Sequence, residues 1–345
     1  MDKEIKVAIA CQTYNQAKYI RQMLDGFVMQ KTNFRFVAYV GDDCSTDGTK
    51  EIIEEYAKKY PEIIKPIYQQ TNTKGAMNFM DTFNACKAQY VAWCEGDDYW
   101  TDENKLQKQA DFLDCHPDYS GCFHPVKVIY ENNEKKSAFY PAKKTMLGKN
   151  KITLNELLHK NYIQTNSIMY RWRFQDGSLG QYFFEYILPG DWYLHLLHAK
   201  CGPIGYIDEV MSVYRRQPQG IWYDSIANPE RLKLNNGLYM FNFYKNVYKN
   251  IADCSQNYFQ NVLAPITHEL LLNYFNYGDF EKLQEFKNLN KDLFNQFFPL
   301  QEKDRFKKKY KKYKKLFEIF LISTITLIFI LITLLVLYTK FKGEI

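Results

Sequence analysis

The stretch Glu95-Gly96-Asp97-Asp98-Tyr99-Trp100 decides how the rest of the chain is read. It follows Tyr90-Val91-Ala92-Trp93-Cys94, a short run of apolar, aromatic and β-branched residues that predicts a buried strand. Two adjacent carboxylates therefore sit where a strand ends and the chain turns. In open α/β sheets, ligands bind along that edge. Carboxylates held together out of solvent repel each other unless a cation joins them. Asp oxygens are hard donors suited to Mg²⁺ or Mn²⁺, ions that usually arrive with the phosphates of a substrate.

The pattern on either side extends that reading. Ile5 to Cys11 predicts a first strand, and Tyr19 to Gln30 a helix with Ile20, Leu24, Phe27 and Val28 on one face. Phe34 to Val40 predicts a second strand, running into Gly41-Asp42-Asp43-Cys44-Ser45-Thr46-Asp47-Gly48-Thr49. Ser45, Thr46 or Asp47 can cap the helix that follows, which stops at Pro61. A third strand at Ile63 to Tyr68, a helix at Asn78 to Ala88, the Tyr90 strand and a helix at Asn104 to Cys115 complete an alternating βα series. Such alternation implies parallel βαβ units in a doubly wound sheet. The loops at Gln12 to Asn15, Asp42-Asp43 and Asp97-Asp98 then open on one crevice.

Farther along, Cys122 to Tyr130 predicts one strand, and Asn132 to Lys151 is polar and loop-like. Asn161 to Tyr170 is extended. Leu188-Pro189-Gly190-Asp191-Trp192 opens a helix with Asp191 at its cap or first turn. Ile204 to Tyr214 predicts a strand pair leading into Arg215-Arg216-Gln217, and Pro229 to Phe298 is helical and aromatic-rich.

Four of these motifs, in order, resemble the signature of family 2 glycosyltransferases: Thr13-Tyr14-Asn15, the Gly41 to Thr49 run, Glu95 to Trp100, and Gly190-Asp191-Trp192. The resemblance spans roughly residues 5 to 225. It implies the GT-A fold, a Rossmann-like mixed or parallel α/β sheet flanked by helices, over 1–225. It also implies inverting transfer of a sugar from a nucleotide diphosphate donor, with a UDP-sugar the commonest in the family. By this resemblance Thr13, Tyr14 and Asn15 line the nucleoside, and Asp43 bonds the base. Asp97 meets ribose or metal, Asp98 coordinates Mn²⁺ or Mg²⁺, and Asp191 is the general base. Lys74 or Asn78 takes the place of an Arg that many members carry, and Arg215 and Arg216 hold phosphate. Gln12 stands where the family usually has Pro, and Gln217 where relatives often have His. Trp222 offers a ring that can stack on a sugar or pack as an ordinary aromatic. Two other readings are a sugar nucleotidyltransferase and a non-catalytic membrane protein on the same fold. The first needs a Gly-rich loop after strand one, and Cys11-Gln12-Thr13-Tyr14-Asn15-Gln16 has no glycine.

Composition narrows the setting. The formal net charge is +6, yet eight basic residues and no acidic one fall between Arg305 and Lys315. The excess charge is thus a local patch for a membrane or polyanion, which argues against nucleic acid as partner. Leu316 to Tyr338 carries one charge, Glu318, and is about the 20 residues that cross a bilayer as a helix. The expected organisation is a catalytic domain at 1–225, a helical extension at 226–300, a basic linker at 301–316 and a transmembrane helix at 317–339. The basic run before the span orients the catalytic domain to the cytoplasmic side of a cell inner membrane. A lipid-linked or surface-glycan acceptor follows from that location. The eight cysteines form no CxxC pair and suit reduced thiols.

Overall fold

The computed structural model describes residues 4–131, 136–218, 220, 222–223, 229–291, 311–312 and 315. The chain divides into two compact units, 1–263 and 264–345. The first opens with β1 (Ile5–Thr13), α1 (Ile20–Val28), β2 (Arg35–Asp42), α2 (Thr49–Lys59), β3 (Ile64–Tyr68), α3 (Ala76–Ala85) and β4 (Tyr90–Trp93). It continues through β5 (Tyr99–Trp100), α4 (Lys105–Cys115), β6 (Gly121–Phe123), β7 (Val126–Tyr130), β8 (Ala138–Tyr140), α5 (Lys143–Met146), β9 (Lys151–Ile152) and α6 (Leu154–His159). Then come β10 (Met169–Arg171), α7 (Gly190–Ala199), β11 (Ile204–Tyr206), β12 (Ser212–Arg216), α8 (Pro229–Asn250) and α9 (Gln256–Tyr258).

The main sheet runs β3-β2-β1-β4-β10-β6-β11-β9. Its first four strands are parallel, and β10 is antiparallel to both β4 and β6. Val7 to Cys11 are all fully buried, as expected for a central strand covered on both faces. Helix α1 covers one face with Ile20, Met23, Leu24 and Phe27. A second sheet, β5-β12-β7-β8, stands beside the first. Two expectations change here. The predicted strand over Cys122 to Tyr130 is broken at His124-Pro125, and its halves β6 and β7 join different sheets. The predicted pair over Ile204 to Tyr214 is likewise split, with β11 in the main sheet and β12 in the small one. The polar stretch 132–151 contributes the short strands β8 and β9.

Glycine at 41 lets α3 lie close on β2. A Cβ there would stand 2.0 Å from Asn78 Oδ1 and 2.5 Å from Thr82 Cγ2. Asn78 uses that closeness to donate to the carbonyls of Thr13 and Gly41, tying the ends of β1 and β2.

The second unit contains α10 (Ala264–Asn276) and α11 (Phe280–Leu289). Asp279 caps α11 by accepting from the Lys282 backbone at 3.1 Å. Among the described residues no helix is long and apolar enough to cross a membrane. The expected span at 317–339 and nearly all of the basic linker lie outside the described residues.

Candidate active site

Parallel register brings the strand ends to one rim: Thr13 pairs with Asp42, and Ala10 with Trp93. The turn after β4 packs directly on the end of β1. A Cβ at Gly96 would meet Gln16 Oε1 at 2.2 Å and Thr13 Oγ1 at 2.8 Å. Gln12, in the position where proline was expected, bridges β4 and α3. It accepts from the Trp93 indole at 2.6 Å and donates to Thr82. Trp100 anchors the far side of the turn, packing on Phe27 with centroids 4.8 Å apart and donating to the Asn166 carbonyl.

Three carboxyls from two segments of the chain come within electrostatic reach of one another here. Glu95 and Asp97 come from the turn after β4, and Asp191 from the first turn of α7. Burial pushes the Glu95 carboxyl up to about 8, and the neighbouring charges of Asp97 and Asp191 add to it. Burial likewise raises Asp97, while a hydrogen bond from Gln217 at 2.7 Å pulls the other way. Asp191 is pushed up by burial to about 6. It accepts from Asn161 Nδ2 at 3.1 Å. Sequence reasoning passed over Glu95 and Asn161 as site residues. Glu95 was legible as part of its motif, whereas Asn161 lies 30 residues from Asp191 with no spacing signal.

Asp98 lies deeper and is 1% exposed. One of its oxygens accepts from the Arg215 backbone at 2.8 Å, and the other is buried without a partner. Burial first, then Asp97, raises its carboxyl well above the usual range. Among the described residues no group of three His, Cys, Asp or Glu side chains is arranged to hold a metal by itself. The donor set nonetheless suits a hard cation brought with phosphates. It holds an orphaned Asp98 oxygen, a half-buried Asp97 and a crowd of like charges.

The remaining predicted residues divide into scaffold and surface. Asp43 is 1% exposed, and both of its oxygens are used. It accepts from Thr73 N and Oγ1 and from Gly75 N, which fixes the loop carrying Lys74. Its neighbour Asp42 accepts from Ser45 N with one oxygen, and its other oxygen is buried with no partner. Asn15, at φ 51°, accepts from Thr46 N with its side chain and donates its own backbone N–H to Ser45 Oγ. Tyr14 is 46% exposed, Thr13 is buried beneath it, and the Lys74 side chain is exposed. Asp47 acts as a cap from two residues before Thr49, accepting its N–H and hydroxyl, while Gly48 holds the N-cap position. Trp222 is half-buried.

The two arginines of β12 point to opposite faces, as strand alternation requires. Arg215 is bound into the protein. It donates to the Asp97 carbonyl and Gln22 and stacks over Tyr19 at 4.8 Å and Tyr99 at 5.5 Å. Arg216 lies over Tyr130 and Tyr214, and its charge is felt by Tyr140 and Tyr214. Those tyrosines also feel Asp191 and the Glu95-Asp97-Asp98 cluster respectively. Arg215 and Gln217, two residues apart, face Asp97, and the charge of Arg215 is felt by both Asp97 and Asp98.

Uncharacterized protein Rv1520 of Mycobacterium tuberculosis is 44% identical over 222 residues, covering 64% of this chain and 62% of the relative. The chain thus spans less than two thirds of that relative's length. The poly(ribitol-phosphate) beta-N-acetylglucosaminyltransferase TarS of Staphylococcus aureus is 34% identical over 116 residues, covering 32% of this chain and 19% of TarS. A crystal structure of S. aureus TarS 1-349 with UDP overlays at a TM-score of 0.49 with 19% identity, covering 88% of this chain and 78% of the other. The mannosyltransferase PcManGT of Pyrobaculum calidifontis, solved with GDP-Man and Mn²⁺, gives 0.49 with 13% identity and 86% of each chain. Residues 9–187, just over half of the 345, match the family described as Glycosyl transferase family 2. With its mixed α/β, GT-A-like architecture, the chain belongs to glycosyl transferase family 2.

Proposed function

We propose that the protein is an inverting glycosyltransferase that moves a sugar from a nucleotide diphosphate donor, a UDP-sugar in the first instance, to an acceptor hydroxyl. What supports this reading is that Glu95, in the turn after β4, feels the charges of both Asp97 and Asp191, from two distant parts of the chain. The Thr13-Tyr14-Asn15 loop, Asp42 with its buried, unpartnered oxygen, and the 72–75 loop shaped by Asp43 frame the nucleoside end. Asp97 and Asp98 would hold Mn²⁺ or Mg²⁺. That ion, when bound, neutralises charge on the departing diphosphate. Arg215 supplies positive charge beside Asp97 and Asp98 and holds the Asp97 turn in place. Asp191 takes the proton of the acceptor hydroxyl. Its carboxyl, raised to about 6, is mostly ionised at neutral pH and more basic than an ordinary aspartate. Inversion needs only this one base.

Residues 317–339 would anchor the enzyme in a cell inner membrane, with residues 301–316 against anionic headgroups and the catalytic unit on the cytoplasmic side. A lipid-linked or surface glycan is then the acceptor class. The test is release of nucleoside diphosphate by the purified protein from a panel of UDP- and GDP-sugars, with Mn²⁺, with Mg²⁺ and with chelator. Metal-dependent release from at least one donor is expected, falling about 10²- to 10⁴-fold in Asp191→Asn. Release from none, or equal release in chelator, contradicts the reading.

A further inference from the structure

A general base must present one particular oxygen to its substrate, so whatever holds its other oxygen sets its aim. Among the described residues, the side chain that donates to Asp191 is Asn161, whose Nδ2 stands 3.1 Å from Oδ2. Two further contacts fix this residue. Its Oδ1 accepts from the Ile163 backbone N–H at 3.0 Å, which settles the orientation of oxygen and nitrogen. Its backbone carbonyl accepts from the Tyr140 hydroxyl. The helix that carries Asp191 is pinned beside it, because the Trp192 indole donates to the Leu157 carbonyl at 2.7 Å. The N-cap residue Pro189 makes no side-chain cap bond, and the Asp191 carboxylate is also stabilised by the Trp192 and Asp191 backbone N–H groups at the helix start.

We propose that Asn161 is a positioning residue for the transfer reaction: its amide grips Oδ2 of Asp191 and leaves Oδ1 to receive the acceptor's proton. This inference rests on Asp191 being the base. The amide is neutral, so it orients the carboxylate without quenching it, as a lysine or arginine would. It also favours the ionised form, because a hydrogen bond to a carboxylate stabilises the charge. The other titratable or charged groups around Asp191 act differently. Glu95, from the turn after β4, is itself raised to about 8, by burial first and then by the charges of Asp97 and Asp191, so it is largely neutral while Asp191 titrates. Tyr140 of β8 and Tyr170 of β10 are neutral phenols at working pH, held up by burial first and then by the Asp191 charge. Arg216 acts across Tyr140 and draws the tyrosine the other way.

The decisive variant is Asn161→Asp. It is nearly isosteric and keeps an oxygen for the Ile163 N–H, but replaces the donor facing Asp191 with a repelling acceptor. Asn161→Ala removes the donor without adding charge. The full chain, labelled with carbon-13 at its aspartate carboxyls, is titrated by NMR, with the Asp191 signal identified by its loss in Asp191→Asn. The midpoint is expected to rise by about one pH unit in Asn161→Ala and further in Asn161→Asp. In the nucleoside diphosphate release assay, both variants are expected to lower kcat by about tenfold to a hundredfold at neutral pH, with the donor KM within about twofold. An unchanged midpoint together with unchanged kcat overturns the role of Asn161. If Asp191→Asn itself leaves release intact, the base assignment fails instead, so the two failures are distinguishable.

Discussion

At the residue scale, the site is built from neighbouring pairs whose members do different work. Asp42 keeps a free oxygen while Asp43 is spent on the 72–75 loop. Asp97 is half-buried beside Gln217, while Asp98 lies beneath it against Arg215 N. The chain predicts such pairs by composition and turn position, but consecutive side chains diverge, and only register says which one faces the ligand. That is why the motifs were legible and the division of labour within them was not. Gln217 is an informative departure: it donates to Asp97, so an amide now fixes a carboxylate where a histidine was expected. Asp191 gives a pH prediction. Its carboxyl is raised to about 6, and the ionised form accepts the proton, so turnover falls as pH drops through 6. A rate profile between pH 5 and 8 is expected to show that acidic limb. A flat profile, with donor binding held saturated, would remove Asp191 from the chemistry.

At the element scale, β12 connects the small sheet to the chemistry. It pairs with β5 through Val213↔Tyr99 and so carries Arg215, Arg216 and Gln217 up to the Asp97 turn. The sequence suggested a strand here but paired it with β11, because both are short and adjacent in the chain. Its partners are instead β5 and β7, and Tyr130 of β7 lies opposite Arg216. Alternation along β12 separates two outcomes. Arg215→Ala removes a stacked guanidinium and the bond to the Asp97 carbonyl, so it should lower the denaturation midpoint. Arg216→Ala removes a guanidinium that lies over Tyr130 and Tyr214, so it should leave the midpoint nearly alone and lower turnover less than Arg215→Ala does. Reversal of that pattern would mean the strand faces are assigned the wrong way round. Gly41→Ala tests the α3–β2 contact. A methyl 2.0 Å from Asn78 Oδ1 must displace the amide that ties β1 to β2. A loss of about 1–3 kcal/mol is expected in urea unfolding, the usual range for overpacking. No loss would show that the contact is slack.

At the scale of the whole molecule, the alternating βα pattern of the first hundred residues announced the parallel half of the sheet and its rim. The antiparallel strand β10 and the divided β6–β7 segment were not legible, because short buried strands carry no periodicity that fixes their sheet. Membrane attachment is a separate prediction from the apolar run at 317–339. Full-length protein is expected in the membrane fraction after a high-salt wash, and release by salt alone would reduce the attachment to the basic patch. The central claim is that Asp97 and Asp98 grip a cation-bound nucleotide while Asp191 waits for the acceptor. The most direct measurement is the melting temperature of the wild type, Asp97→Asn and Asp191→Asn with UDP or GDP, as Mn²⁺ is added. A ligand at 100 times its Kd contributes about 2.7 kcal/mol to the folded state, enough to move the transition clearly. The expected result is a Mn²⁺-dependent rise with at least one nucleotide in the wild type and Asp191→Asn, lost in Asp97→Asn. An equal rise in all three proteins, or no rise with either nucleotide, would contradict the account.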